Sequence, residues 1–150
     1  MRVKEFIFKK YEDSKGARDF RIPTSVHENY LNPIMSAFKE YNVEMTEIIL
    51  YAIALAVKDR IKNNRKSDFN AEKSKESTAL FGIPSLDPDR LEFFVSVVVY
   101  LYRPDSIFDY RDFVNKTQNL AIEGLKLLFE KVQDEYHLSP SKFMDNIINS

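Results

Sequence analysis

The sequence has no cysteine, and its 150 residues include only three glycines (Gly16, Gly82, Gly124) and two histidines (His27, His137). Without cysteine there is neither a disulfide nor a thiolate metal site, a usage compatible with a reducing cytoplasm. A loop that cradles phosphate needs several glycines close together so that the backbone can approach the anion, and three isolated ones exclude the common nucleotide-binding motifs. The histidines are far apart and fit no metal-ligand spacing such as His-Glu-x-x-His, so they read as surface or helix-end residues. The longest apolar run, Ile48 to Val57, is ten residues, well short of the roughly 20 a membrane helix requires. These absences lead us to expect a cytoplasmic protein without a membrane segment, cofactor or metal centre.

What is present suits one ordered domain. Hydrophobic residues make up 44% and charged residues 30% of the chain, a balance that favours a helix-rich globule over disorder. A chain of this length removes roughly 68–70% of its unfolded surface from water, enough for a single core. The net charge of −1 conceals blocks: residues 1–21 carry 7 Lys/Arg against 4 Asp/Glu, residues 58–75 carry 7 against 3, and residues 76–150 carry 7 against 12. Local and not total charge sets the field near a surface, so two basic segments deserve a reading as candidate anion-binding surfaces.

Along the chain, "VKEFIFKKY" (Val3 to Tyr11), the turn-forming "EDSKG" and the alternating "ARDFRI" read as a β-hairpin closed by Pro23, which has no amide hydrogen for the ladder. Ser25 and Glu28 have capping-box spacing, and Val26, Tyr30, Ile34, Phe38 and Tyr41 then form an apolar stripe interrupted by Pro33. Pro33 either kinks this helix or, with Asn32 as cap, opens a new one. Thr46 is positioned to cap the next helix, "EIILYAIALAVKDRIK", whose apolar middle marks it as a buried central element. Arg65 to Thr78 has no sustained apolar period and reads as a mobile loop.

"DPDRLEFFVSVVVYLYRP" combines a good helix start, Asp87 followed by Pro88, with the strand propensity of "VSVVVY". Its length favours a helix over residues 87–102. Ser106 and Asp109 then offer a cap for a long amphipathic helix with Phe113, Leu120, Gly124, Leu127, Leu128 and Val132 near one face. Ser139 and Pro140 start a last short helix with Phe143, Met144, Ile147 and Ile148 as its apolar side. The fold class expected is mostly α (α+β): a short N-terminal β-hairpin followed by a bundle of about five helices, in one domain.

No catalytic constellation emerges. Asp87, Asp89, Asp105, Asp109 and Asp112 cluster in sequence, as a metal-dependent nuclease would require. No Asp/Glu-x-Lys follows on a credible strand, however, and helix capping explains Asp87 and Asp109 more simply. Most aromatic residues fall within apolar patterns, leaving Tyr11, Phe69 and Tyr110 as candidates for stacking on bases. A strand followed by two helices is also the order of a ribbon-helix-helix DNA-binding dimer, with Lys15, Asp19 and Arg21 facing outward. Asp19 opposes that reading, because it would face phosphate, and so does a strand partner within the same chain.

Residues 46–66, "TEIILYAIALAVKDRIKNNRK", and 87–132, "DPDRLEFFVSVVVYLYRPDSIFDYRDFVNKTQNLAIEGLKLLFEKV", carry a resemblance. An Ala-rich apolar helix ends in basic residues; a loop follows, then a helix begun by an Asp-x-x-Arg pattern, then a helix with a small residue and Gly before a Leu-rich end. In this the chain resembles small accessory proteins encoded beside DNA phosphorothioation (Dnd) systems. "AIEGLKLL" (Ala121 to Leu128) is the best local match, although Ile122 and Glu123 stand where a more Asn/Gly-rich stretch is expected. The resemblance implies a cytoplasmic prokaryotic protein that serves DNA modification or restriction without catalysis of its own, through contacts with DNA or with partner proteins of that system. The phosphate-contact candidates are then Lys58, Arg60, Lys62, Arg65 and Lys66 with Lys15, Arg18 and Arg21. The alternative is a helical protein-interaction module, with "FFVSVVVYLY" (Phe93 to Tyr102) and the acidic C-terminal half forming a homodimer or docking surface.

Overall fold

A computed structural model describes residues 19–63, 76–102 and 110–135. Strand β1 (Asp19–Pro23) leads into a helical path, α1, made of Thr24–Val26, a π-turn over His27–Leu31 and Asn32–Ala37. After a 3₁₀ turn at Lys39–Tyr41 come α2 (Met45–Lys62), β2 (Ser77–Gly82), a 3₁₀ turn at Ile83–Ser85, α3 (Pro88–Tyr102) and α4 (Tyr110–Glu135). The mostly helical α+β class holds, with a two-stranded antiparallel sheet beside four helices among the described residues. The expected first strand at 3–11, the Ser106/Asp109 cap and the helix from Ser139 lie outside the described residues.

The strand that β1 pairs with is β2, far along the chain, with Phe20 opposite Phe81 and Ile22 opposite Thr78. Ser77 and Thr78, expected as the end of a loop, therefore belong to a strand; residues 65–75 of that loop lie outside the described residues. Between Phe20 and Arg21 the register slips, so that Leu80 is the extra residue of a bulge. Phe20 and Ile22 are buried and Asp19 and Arg21 exposed, the alternation expected from a sheet with one face on the core. Phe20 stacks on Phe81 at 4.9 Å between centroids and on Phe94 of α3 at 5.8 Å, joining both strands to a helix.

The start of α1 departs from the expected capping box, since no side chain caps it. Thr24 begins the helix one residue before Ser25 and is held by the sheet instead. Its N–H donates to the Glu76 carbonyl at 3.1 Å, and its hydroxyl is hydrogen-bonded to that of Thr78 at 3.0 Å. Pro33 does not open a new helix with Asn32 as its cap, because Leu31 and Asn32 both keep helical backbone angles. The Asn32 N–H reaches back five residues to the His27 carbonyl, and this wider turn accommodates the proline ring. The stripe ends at buried Phe38, and Tyr41 is exposed because the chain turns there through Asn42 at φ 52°, a left-handed conformation Asn tolerates.

Helix α2 begins at Met45, so Thr46 lies inside its first turn and caps nothing. Asp87 does cap α3, its carboxylate accepting the Arg90 N–H at 2.9 Å. The Arg90 guanidinium then bridges to Glu44 at 3.2 Å, tying the start of α3 to the start of α2. The two helices thereby become neighbours. On its other side α2 packs on α4 at a point where Ala52 and Gly124 meet backbone to backbone. Ala56 and Ala121 are also fully buried, and the small side chains let the helices approach closely. The buried Thr117 hydroxyl is satisfied within α4 by the carbonyls of Phe113 and Val114, at 3.1 and 2.9 Å.

Candidate functional site

The middle of helix α2 is apolar all round, and one neighbour cannot cover every face of such a stretch. Ile49, Ala52, Ile53, Ala56 and Arg60 form its buried side. On the opposite side Ala54 is exposed, Val57 half-buried, and Ile61 54% exposed, the larger value of two for big hydrophobic side chains among the described residues. Positions 54, 57, 58 and 61 follow the i, i+3, i+4, i+7 spacing of a single helix face. Across from this stripe stand Phe93 and Val97 of α3, and the two helices enclose an open groove of about 430 Å³ lined by Ala54, Val57, Ile61, Phe93, Val97, Lys58 and Lys62. The helix expected as the central core element does contribute seven buried residues, and its other side is surface.

The described members of the set expected to contact phosphate stand in different settings. Arg60 is 3% exposed and donates from Nε to Glu123 of α4 at 2.8 Å. Its charge is neutralised inside the fold, which removes it from the phosphate-contact set. Lys58 and Lys62 lie on the opposite, exposed side of α2 and have no carboxylate partner among the described residues. Lys15, Arg18, Arg65 and Lys66 lie outside the described residues.

Arg21 is exposed yet engaged. Its guanidinium donates to the Ser77 hydroxyl at 2.8 Å and the Ser77 carbonyl at 3.0 Å, with Asp19 at 3.6 Å. Its amide N–H donates to the Gln118 side chain of α4 at 2.7 Å. With β2 on one edge of β1 and Gln118 on the Arg21 amide, a second copy has no backbone donor to pair with at this residue. A ribbon-helix-helix dimer would need that pairing.

Of the acidic cluster, Asp87 is engaged as a cap and by Arg90 at 3.3 Å, while Asp105 and Asp109 lie outside the described residues. Among the described residues no three His, Asp or Glu side chains converge as metal ligands would, and none of the helices is long and apolar enough to cross a membrane. No family model, curated protein or solved structure matches the chain.

Reading the sequence alone misses Ala54, Val57 and Ile61 as surface residues. The signal was there in the placement of Lys58 and Lys62 on the same side of the helix: ammonium groups interrupting an apolar run point to the face that meets water.

Proposed function

We propose that the protein is a non-enzymatic interaction component, a helical module that receives a segment of a partner protein in the groove between α2 and α3. The observation that carries this reading is the apolar groove formed by Ala54, Val57, Ile61, Phe93 and Val97, with Ile61 54% exposed at its rim. Helix-in-groove recognition seats the apolar stripe of a partner segment in a groove of this kind. Phe93 and Val97 belong to "FFVSVVVYLY", the stretch expected from sequence as a docking surface. Covering the exposed part of Ile61 alone is worth about 1 kcal/mol, so a partner side chain gains from entering the groove. The resemblance to Dnd accessory proteins spans both walls, residues 46–66 and 87–132, and gives the partner its proposed setting in a prokaryotic DNA-modification or restriction system. Direct contact with DNA is the second reading, favoured by the exposure of Lys58 and Lys62 just before Arg65 and Lys66 in sequence.

Selection from a random displayed-peptide library tests the docking reading. The wild-type chain is expected to enrich peptides with apolar residues at helical spacing, and Ile61→Asp, a change at an exposed position, is expected to abolish that enrichment. Enrichment that ignores Ile61→Asp would place the binding surface elsewhere, and no enrichment at all would refute docking.

A further inference from the structure

We infer that the occupant of the α2–α3 groove is an acidic amphipathic helix of a partner protein, its apolar stripe laid along Ala54, Val57 and Ile61 and its carboxylates set against Lys58 and Lys62. The inference rests on the docking reading above and adds the chemistry of the partner.

Length and shape come first. The α2 stripe from Ala54 to Ile61 spans seven residues of helical rise, about 10 Å, which an opposing helix matches with its own i to i+7 anchors. Among the described residues the groove is lined by five apolar side chains, with Lys58 and Lys62 as its only charged members. A site for a small molecule or a fatty acid would wrap most of the ligand and fix it with a few convergent polar groups. Among the described residues this groove is open to solvent, so it suits a segment whose other face stays in solvent or on its parent protein.

Charge then selects the partner. Arg21, Arg60 and Arg90 are each close to a carboxylate of this chain, at 3.6, 2.8 and 3.2 Å respectively. Lys58 and Lys62 have no such partner among the described residues. Four residues apart on one helix, they stand as neighbours and present two ammonium groups beside an apolar lining to which the described residues contribute no acid. A basic segment would be repelled, and carboxylates at i and i+4 would meet both lysines. The same charges oppose a second copy of this chain as occupant, because a two-fold contact brings identical patches together and would set both lysine pairs against each other.

Fluorescence anisotropy with three labelled peptides, each about four helical turns long, tests the inference on the full chain. One carries a leucine stripe flanked by Glu, the second has Lys in place of every Glu, and the third has the acidic composition scrambled so that the stripe is lost. The acidic stripe peptide is expected to bind about tenfold more tightly than the lysine peptide, the advantage two surface ion pairs supply, and the scrambled peptide not to bind. The double variant K58E/K62E, with its helical circular dichroism unchanged, should reverse the preference. Equal binding of the acidic and lysine peptides would overturn the acidic assignment and leave the docking reading standing. Failure of both stripe peptides would overturn both. Binding of the scrambled peptide would reduce the groove to a charge patch, oleate binding in place of the acidic peptide would make the occupant a fatty acid, and a mass that doubles with concentration in light scattering would make it a second copy. Each of these last three results overturns the inference.

Discussion

Gly124 of α4 sits directly on the carbonyl group of Ala52 of α2: a Cβ added to Gly124 would overlap that carbonyl and come within 2.8 Å of the Ala52 Cα. Two backbones can meet this closely only because neither residue brings a bulky side chain. The contact fixes the buried side of α2 and thereby decides which side is left to form the groove.

Gly124→Ala therefore has a sign that discriminates. In an open helical position the change would stabilise by about 1 kcal/mol through helix propensity. Against an unyielding backbone it should destabilise by about 3 kcal/mol or more. Urea unfolding is expected to show the loss, and Ala54→Ser, at an exposed position of α2, is expected to change stability by less than about 0.5 kcal/mol.

The Arg60–Glu123 pair should behave as an internal tie and not as part of a binding surface. Arg60→Ala leaves a carboxylate that is only 17% exposed without this partner, at a cost of about 2–3 kcal/mol, below the range for fully buried pairs because some water reaches Glu123. Replacing both residues, Arg60→Met with Glu123→Leu, should cost less than the sum of the single changes, which a double-mutant cycle by chemical denaturation measures.

Asp87→Ala removes the cap of α3 and one partner of Arg90, with an expected loss of about 1 kcal/mol. Asp87→Asn keeps the acceptor for the Arg90 N–H and should recover most of that stability. Thermal unfolding of the two variants side by side checks the order.

For duplex DNA, a salt titration of anisotropy separates the lysines from the arginine. Whatever affinity exists should lose about 2 from its log–log salt slope when Lys58 and Lys62 are both replaced by Ala, at close to one unit per phosphate contact. Arg60→Met should leave the slope unchanged, since the guanidinium is committed to Glu123.

Much of this fold was legible in the sequence, and the parts that were not share a cause. Asp87 and Pro88 announced α3 because a cap is a local signal read within four residues. The amphipathic face of α4 was legible for the same reason, its period being local. Strand β2 was hidden because "STALFG" is short and its partner, β1, is distant in the chain, so no turn marks the pairing. Ser25 and Glu28 matched a cap pattern, yet Thr24 won the helix start through bonds to Glu76 and Thr78 that only the folded chain supplies. The site was half legible. Lys58, Lys62 and the Phe93 to Tyr102 stretch stood out, whereas the burial of Arg60 depends on Glu123 lying opposite it, a tertiary fact that charge counting cannot reach.

The central claim is that the α2–α3 groove is the surface through which this protein meets its partner. The most direct test is a ¹⁵N-¹H correlation NMR titration of the full chain with the acidic stripe peptide. The account predicts shift changes concentrated at Ala54, Val57, Lys58, Ile61, Phe93 and Val97, absent in Ile61→Asp. Shift changes centred on β1 and Arg21, or none in the groove at saturating peptide, would contradict it.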